Sequence, residues 1–165
     1  MFTPDERIAL VESIHQSPAQ LVLAVTGGGH AIITDLLGVA GASATVLEAI
    51  VPYSAQSLHE LVGPGHANHS AVSPEMAGAM AVASARRAGV LGPEGSHFLG
   101  VACTATIATN RAKRGEHRAH IAIAKTGGAM LVEESVTLER GAFTRGEEDR
   151  LVADHLLQQL AYSVK

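Results

Sequence analysis

Leu21-Val22-Leu23-Ala24-Val25-Thr26-Gly27-Gly28-Gly29 is the stretch that decides the fold. Its apolar run is short and continuous, with no helical spacing, which is the pattern of a central strand covered on both faces. Three glycines then form a turn, and the stretch from Gly29 to Leu37 reads as a helix closed by Gly38. A buried strand running through a glycine turn into a helix opens an α/β unit.

Outward from that unit, Thr3-Pro4-Asp5-Glu6 opens a preceding helix with a capping box, and Ile8, Val11 and Ile14 give it a buried face that ends near Ser17-Pro18. A second strand is expected from Thr45 to Val51, ended by Pro52-Tyr53-Ser54. After a short helix and the loop Gly63-Pro64-Gly65-His66-Ala67-Asn68-His69, Ser73-Pro74-Glu75 starts an Ala-rich helix. Arg86 and Arg87 suit its negative end, and Gly89 suits a left-handed cap. Phe98 to Cys103 reads as another buried strand. Arg118 to Lys125 and Met130 to Glu139 read as two strands joined at Thr126-Gly127-Gly128-Ala129. On the second of these, Met130, Val132, Val136 and Leu138 are expected on one face, with Glu133, Ser135, Thr137 and Glu139 on the other. Thr144 and Glu147 form a second capping box ahead of a helix striped by Val152, Leu156 and Leu160. The expected fold class is α/β: a three-layer α/β/α sandwich on a mixed sheet with a late antiparallel hairpin, one domain over residues 1–165.

Composition narrows the function. The 165 residues are 47% hydrophobic and 17% charged, which excludes disorder and supplies a core. Aromatics are only 3% and Trp is absent, so Ala, Val, Leu and Ile must fill that core. A single Cys rules out an internal disulfide and fits a reducing, cytoplasmic setting. The net charge of −4 argues against a general nucleic-acid binder, and no stretch has the length and apolarity of a membrane span.

The chemistry concentrates at the glycine turn. Backbone amides there, followed by a helix start, suit a phosphate or carboxylate, although the turn is neither a Walker A loop nor a full dinucleotide fingerprint. A tight turn alone would also account for it. Thr26-Gly27-Gly28, Ile33-Thr34-Asp35 with Ala40-Gly41-Ala42-Ser43, Tyr53-Ser54, and Ala71-Val72-Ser73-Pro74-Glu75-Met76-Ala77 occur in one order. With these segments the chain resembles the C-terminal domain of the competence/damage-inducible protein CinA, the nicotinamide mononucleotide amidohydrolase family, from about Glu12 to the end. The resemblance implies a pocket lined by Thr26, Gly27, Gly28, Ser43, Tyr53 and Ser54, with Thr104 and Thr106 at a further binding turn. It also exposes departures. Ala24 stands where the family has its hydrolytic Ser, Ala55-Gln56-Ser57-Leu58-His59 lacks the expected Lys, and Cys103-Thr104-Ala105-Thr106-Ile107-Ala108 replaces a Thr-Gly-Ile-Ala-Gly-Pro turn. Hydroxyl-driven amide hydrolysis needs an activated oxygen, a base and oxyanion donors. Thr26, Ser54, Ser57 and Thr104 are the candidate replacement nucleophiles, Thr26 and Ser54 foremost, against the ordinary use of such hydroxyls in caps and turns.

Four of the 12 Lys and Arg residues, Arg111, Lys113, Arg114 and Arg118, fall within eight positions. Such a loop is either a solvated basic segment or one that closes over a phosphate through Arg contacts. Nine histidines raise a metal site, but no metal-ligand spacing supports one, and His117 and His120, three apart on a strand, are expected on opposite faces. Cys103 reads as a packed residue beside Thr104. The functional expectation is a small phosphorylated, nucleotide-like ligand without efficient amide hydrolysis, no cofactor and no metal. The alternatives are an amidohydrolase with a relocated hydroxyl and an interaction module. Homo-oligomerisation through the Ala-rich helix is also expected.

Overall fold

The computed structural model describes residues 1–93, 97–110 and 115–165. Arg111, Lys113 and Arg114 of the basic loop therefore lie outside the described residues.

Six helices and five strands follow in the order α1 (Pro4–His15), β1 (Ala19–Thr26), α2 (Ala31–Gly38), α3 (Ala42–Thr45), β2 (Val46–Ile50), α4 (Ala55–Val62), α5 (Pro74–Leu91), β3 (His97–Thr106), β4 (His117–Lys125), β5 (Met130–Leu138) and α6 (Arg145–Ser163) among the described residues. A short 3-10 turn at Pro64–His66 separates α4 from α5. The sheet order is β2-β1-β3-β4-β5. β1 is parallel to β2 and β3, and β3, β4 and β5 run antiparallel to one another in turn. The sandwich on a mixed sheet with a late hairpin is therefore the observed fold.

Residue parity assigns the layers. Leu21, Leu23, Val25, Leu99, Val101, Cys103, Ile121 and Ile123 pack with α1, α2 and α6 in one core. Ala24, Ala102, Ala122 and Ala124 pack with α4 and α5 in the other. Alanine on this second face lets α5 lie close to the sheet. At Gly100 even a methyl group would come within 1.9 Å of the Ala81 carbonyl and 2.2 Å of the Ala85 nitrogen, so only glycine fits. The alanines of α5 at 77, 79, 81, 83, 85 and 88 are all buried within the chain.

Local expectations fail where tertiary packing competes. Both capping boxes form as read. Ile8, however, is 46% exposed, and α1 buries Val11 and Ile14 with Leu10 packed beside them. Gly89 is no left-handed cap. The helix runs on to Leu91 and ends at Gly92, φ −89°, where a Cβ would meet the Phe98 ring at 2.1 Å. Arg87 serves β2 rather than the helix end, with its Nε 2.9 Å from Glu48 Oε2 and its NH2 group 3.0 Å from Oε1. β3 continues past Cys103 to Thr106, because Thr104 and Thr106 pair with His120 and Arg118 in the ladder. A register shift at the hairpin pairs Ala124 with Met130 but Ile123 with Val132. It moves Met130 to the α5 core, while Val132 and Val136 pack on the α6 side.

Candidate functional site

Thr26 ends β1, and the chain must turn at once because the end of β3 is in the way. At Gly27, φ +80°, a Cβ would sit 1.8 Å from the Ala105 carbonyl oxygen. Both the left-handed backbone and the close approach demand glycine. Gly28 packs instead on Ile107, whose Cγ2 would lie 3.1 Å from an added Cβ.

The helix start beyond the turn holds an anion, and the anion is the protein's own. Asp149 of α6 accepts hydrogen bonds from the His30 and Ala31 amides, each 3.0 Å, and its Oδ1 lies 3.1 Å from His30 Nδ1. Burial alone would push this carboxyl up. The hydrogen bonds from the His30 side chain and the two amides, with the His30 charge, outweigh it and hold the carboxyl at about 2. The expectation that this start offers its amides to a ligand's phosphate or carboxylate is corrected accordingly: Asp149 fills the position.

On the α5 side of the same strand ends, Thr26, Gly27, Tyr53, Ser54 and Thr104 line one cleft of about 190 Å³, walled by Ala55, Leu58, Val72 and other small groups. Three separate segments deliver these residues. β1 and β3 bring Thr26 and Thr104 side by side in register. Ser54 caps α4 by accepting from the Ser57 amide at 3.1 Å. Tyr53 stands 65% exposed at the rim, its ring 6.3 Å from that of His30. Thr104 donates to the Ala71 carbonyl at 2.6 Å and so pins the segment that leads into α5. None of the described lining residues carries a charged or imidazole side chain.

Ser43 is not brought here. It lies in α3, before the start of β2, whereas Thr26 is at the far end of the neighbouring strand. Thr106 and Arg118 face one another in the ladder two pairs beyond Thr104 and His120, outside the cleft lining. Cys103 points into the opposite core, and burial together with the Asp149 charge pushes its thiol up to about 12, so it is an inert packed residue. A larger groove of about 520 Å³ runs between α1 and α6, lined by Phe2, Leu10 and Tyr162 among others. It contains none of the residues that mark the strand ends, so the smaller cleft is the candidate site.

His117 and His120 do take opposite faces. His117 Nδ1 lies 2.6 Å from Oε1 of the fully buried Glu148, whose Oε2 accepts from the Ala108 amide at 2.6 Å. His120 lies on the cleft's face, with Nδ1 2.7 Å from Ser135 Oγ. Among the described residues no group of three or more His, Cys, Asp or Glu is placed to hold a metal ion, and no helix is long and apolar enough to cross a membrane.

No protein-family model matches the chain, and neither does any curated protein. Solved structures do. The competence/damage inducible protein CihA from Agrobacterium tumefaciens aligns with 99% of this chain and 97% of its own at 20% identity, with TM-score 0.69. A CinA superfamily protein from Enterobacter cloacae aligns with 96% of this chain and 92% of its own at 14% identity, TM-score 0.70. One from Escherichia coli gives 97% and 92% at 15% identity, TM-score 0.68.

The fold is that of the CinA superfamily proteins. Within this CinA-like fold, Ala24 is fully buried in the α5 core two residues before Thr26. The sequence reading named His120 and Ser135 without pairing them, and it missed Glu148 and Asp149. Counting back from the hairpin turn without its irregularity pairs His120 with Glu134, and only the register shift places Ser135 opposite. Asp149 had no local signal, because its partners lie 118 and 119 residues away.

Proposed function

We propose that this CinA-like domain binds a small phosphorylated, nucleotide-like ligand related to nicotinamide mononucleotide and does not hydrolyse it efficiently. One observation carries the reading: Thr26, Gly27, Tyr53, Ser54 and Thr104, which the family resemblance picks out from three parts of the chain, converge on a single cleft at the carboxyl ends of the parallel strands. Ligands of open α/β sheets bind at such ends. The ligand's neutral portion enters the cleft, whose lining is uncharged. Its phosphate reaches outward toward Arg118, since Asp149 already fills the start of α2.

The absence of efficient hydrolysis rests on the buried Ala24 methyl where the resemblance places a hydrolytic Ser, and on the missing Lys after Tyr53-Ser54. Ser54 is engaged as a helix cap, and the cleft lining offers Thr26 no base. A cytoplasmic protein fits such a ligand.

Thermal unfolding with nicotinamide mononucleotide, with deamidated product followed in the same samples, tests this. At a hundredfold excess over Kd the stability gain is about 2.7 kcal/mol, or roughly 5–10 °C in Tm. A shift without product is expected, and it shrinks in Thr26→Val and Arg118→Ala. Product above the blank overturns the loss of hydrolysis. No shift from this nucleotide or a panel of others overturns the ligand.

A further inference from the structure

We infer that Ser135 and His120 form a nucleophile–base pair for acyl transfer, on the cleft's face of the sheet but beyond Thr104. The ladder sets Thr26 opposite Thr104, Thr104 opposite His120 and His120 opposite Ser135, one row of side chains across four strands. Ser135 lies on the edge strand β5 and is exposed, while the His120 ring is only 7% exposed. Their Oγ and Nδ1 atoms are 2.7 Å apart, the reach a nucleophile needs to pass its proton to a base.

Other hydroxyls are differently employed. Thr3, Ser54, Ser73 and Thr144 cap helices, and Thr104 donates to a backbone carbonyl. Thr45 also meets an imidazole, His15, at 3.1 Å, but it is 1% exposed and the other nitrogen of that ring is bound to the Leu36 carbonyl. Among the described residues, Ser135 is the exposed hydroxyl held by an imidazole.

The surroundings of His120 suit a base. Arg118 lies on its own strand, Glu75 acts on it from α5, Glu133 is two cross-strand pairs along on β5, and β3 contributes Thr104 and Thr106. Burial first, then Arg118, lowers the imidazole's pKa from its ordinary value, and Glu75 only partly opposes them. A neutral imidazole then accepts the serine proton at neutral pH. The substrate class is small activated acyl esters, because an exposed strand edge provides no deep pocket for a large acyl chain.

In the reaction Ser135 Oγ bonds to the carbonyl carbon as its proton passes to His120 Nδ1. The carbonyl oxygen carries the resulting negative charge, on the face where Arg118 stands. The bond to the leaving alcohol then breaks, and Nδ1 returns the proton to that oxygen. Water repeats the sequence on the acyl-serine, releasing the acid and restoring both residues.

The test uses the full chain with p-nitrophenyl acetate, and with diisopropyl fluorophosphate followed by peptide mass spectrometry. The expected result is a phosphoryl adduct on Ser135 and nitrophenol release that falls about 100-fold in Ser135→Ala and in His120→Gln. The wild-type rate should rise with pH through a titration below 6.5 that His120→Gln abolishes. Ser135→Cys, which keeps a nucleophile of similar size, should retain acyl transfer. An adduct elsewhere, or release unchanged in Ser135→Ala, overturns the inference. If Ser135→Ala proves unstable, the site of the adduct in the wild type decides. Stabilisation by nicotinamide mononucleotide should persist in Ser135→Ala, so failure here is separate from failure of the cleft reading.

Discussion

The two faces of the sheet's carboxyl end carry different kinds of polar group. On the α6 side, Glu148, His117 and Asp149 are ionisable, and each is committed to a partner within the chain. On the α5 side, Thr26, Thr104, Tyr53 and Ser135 are hydroxyls, and they border a cleft or solvent. Burying an ionisable group is tolerable only with its partners in place. The α6 face is therefore a lock between helix, turn and strand, whereas the cleft on the α5 face, proposed as the ligand site, has no ion pair among its described lining residues. Committed charge pairs mark the α6 side here, and the cleft proposed as the ligand site is lined by uncharged groups.

The largest effect should come from breaking the lock. Glu148→Ala removes the acceptor of the Ala108 amide and the partner of a buried imidazole together, and should cost about 3–5 kcal/mol. Urea denaturation reads this directly. A loss below 1 kcal/mol would mean that the two faces are energetically alike.

Asp149 gives the next largest effect, visible through pH. Its carboxyl is held at about 2 in the fold against an ordinary value of 3.8, so the folded state favours the ionised form. The stabilisation is present above pH 4 and is lost as pH falls toward 2, and it amounts to about 2 kcal/mol. The stability advantage of the wild type over Asp149→Asn should therefore shrink between pH 5 and pH 2.5, and the difference cancels carboxylates common to both. A constant advantage over that range would show that the α2 start does not depend on the Asp149 charge.

Order along the chain made the layers legible, because the buried run at Leu21, the glycine turn and the two capping boxes are local signals. The cleft was legible through Thr26, Tyr53, Ser54 and Thr104, which the family resemblance supplied. Ser43 was misplaced because a motif matched along the chain says nothing about which end of β2 it occupies. The partners of His120 and Asp149 were invisible for a shared reason. One depends on a single irregular residue step in a hairpin, the other on the packing of helices more than a hundred residues apart. Local propensity encodes neither.

Thr104→Val separates the faces most finely. Valine keeps the β-branched shape at a fully buried strand position, so packing and strand preference are preserved. What disappears is the 2.6 Å hydrogen bond to the Ala71 carbonyl. Ala71 is exposed, so water can replace that donor, and the stability cost should be only about 1 kcal/mol. The same bond pins the segment that walls the cleft, and a loosened wall must be ordered again whenever a ligand binds. Thermal stabilisation by nicotinamide mononucleotide should therefore weaken by more than the loss of intrinsic stability. The combination of a small cost in urea with a large loss of ligand shift is the signature of an open face. If both measurements fall in proportion, Thr104 belongs with Glu148 and Asp149, and the distinction between the faces fails at the residue where the cleft depends on it most.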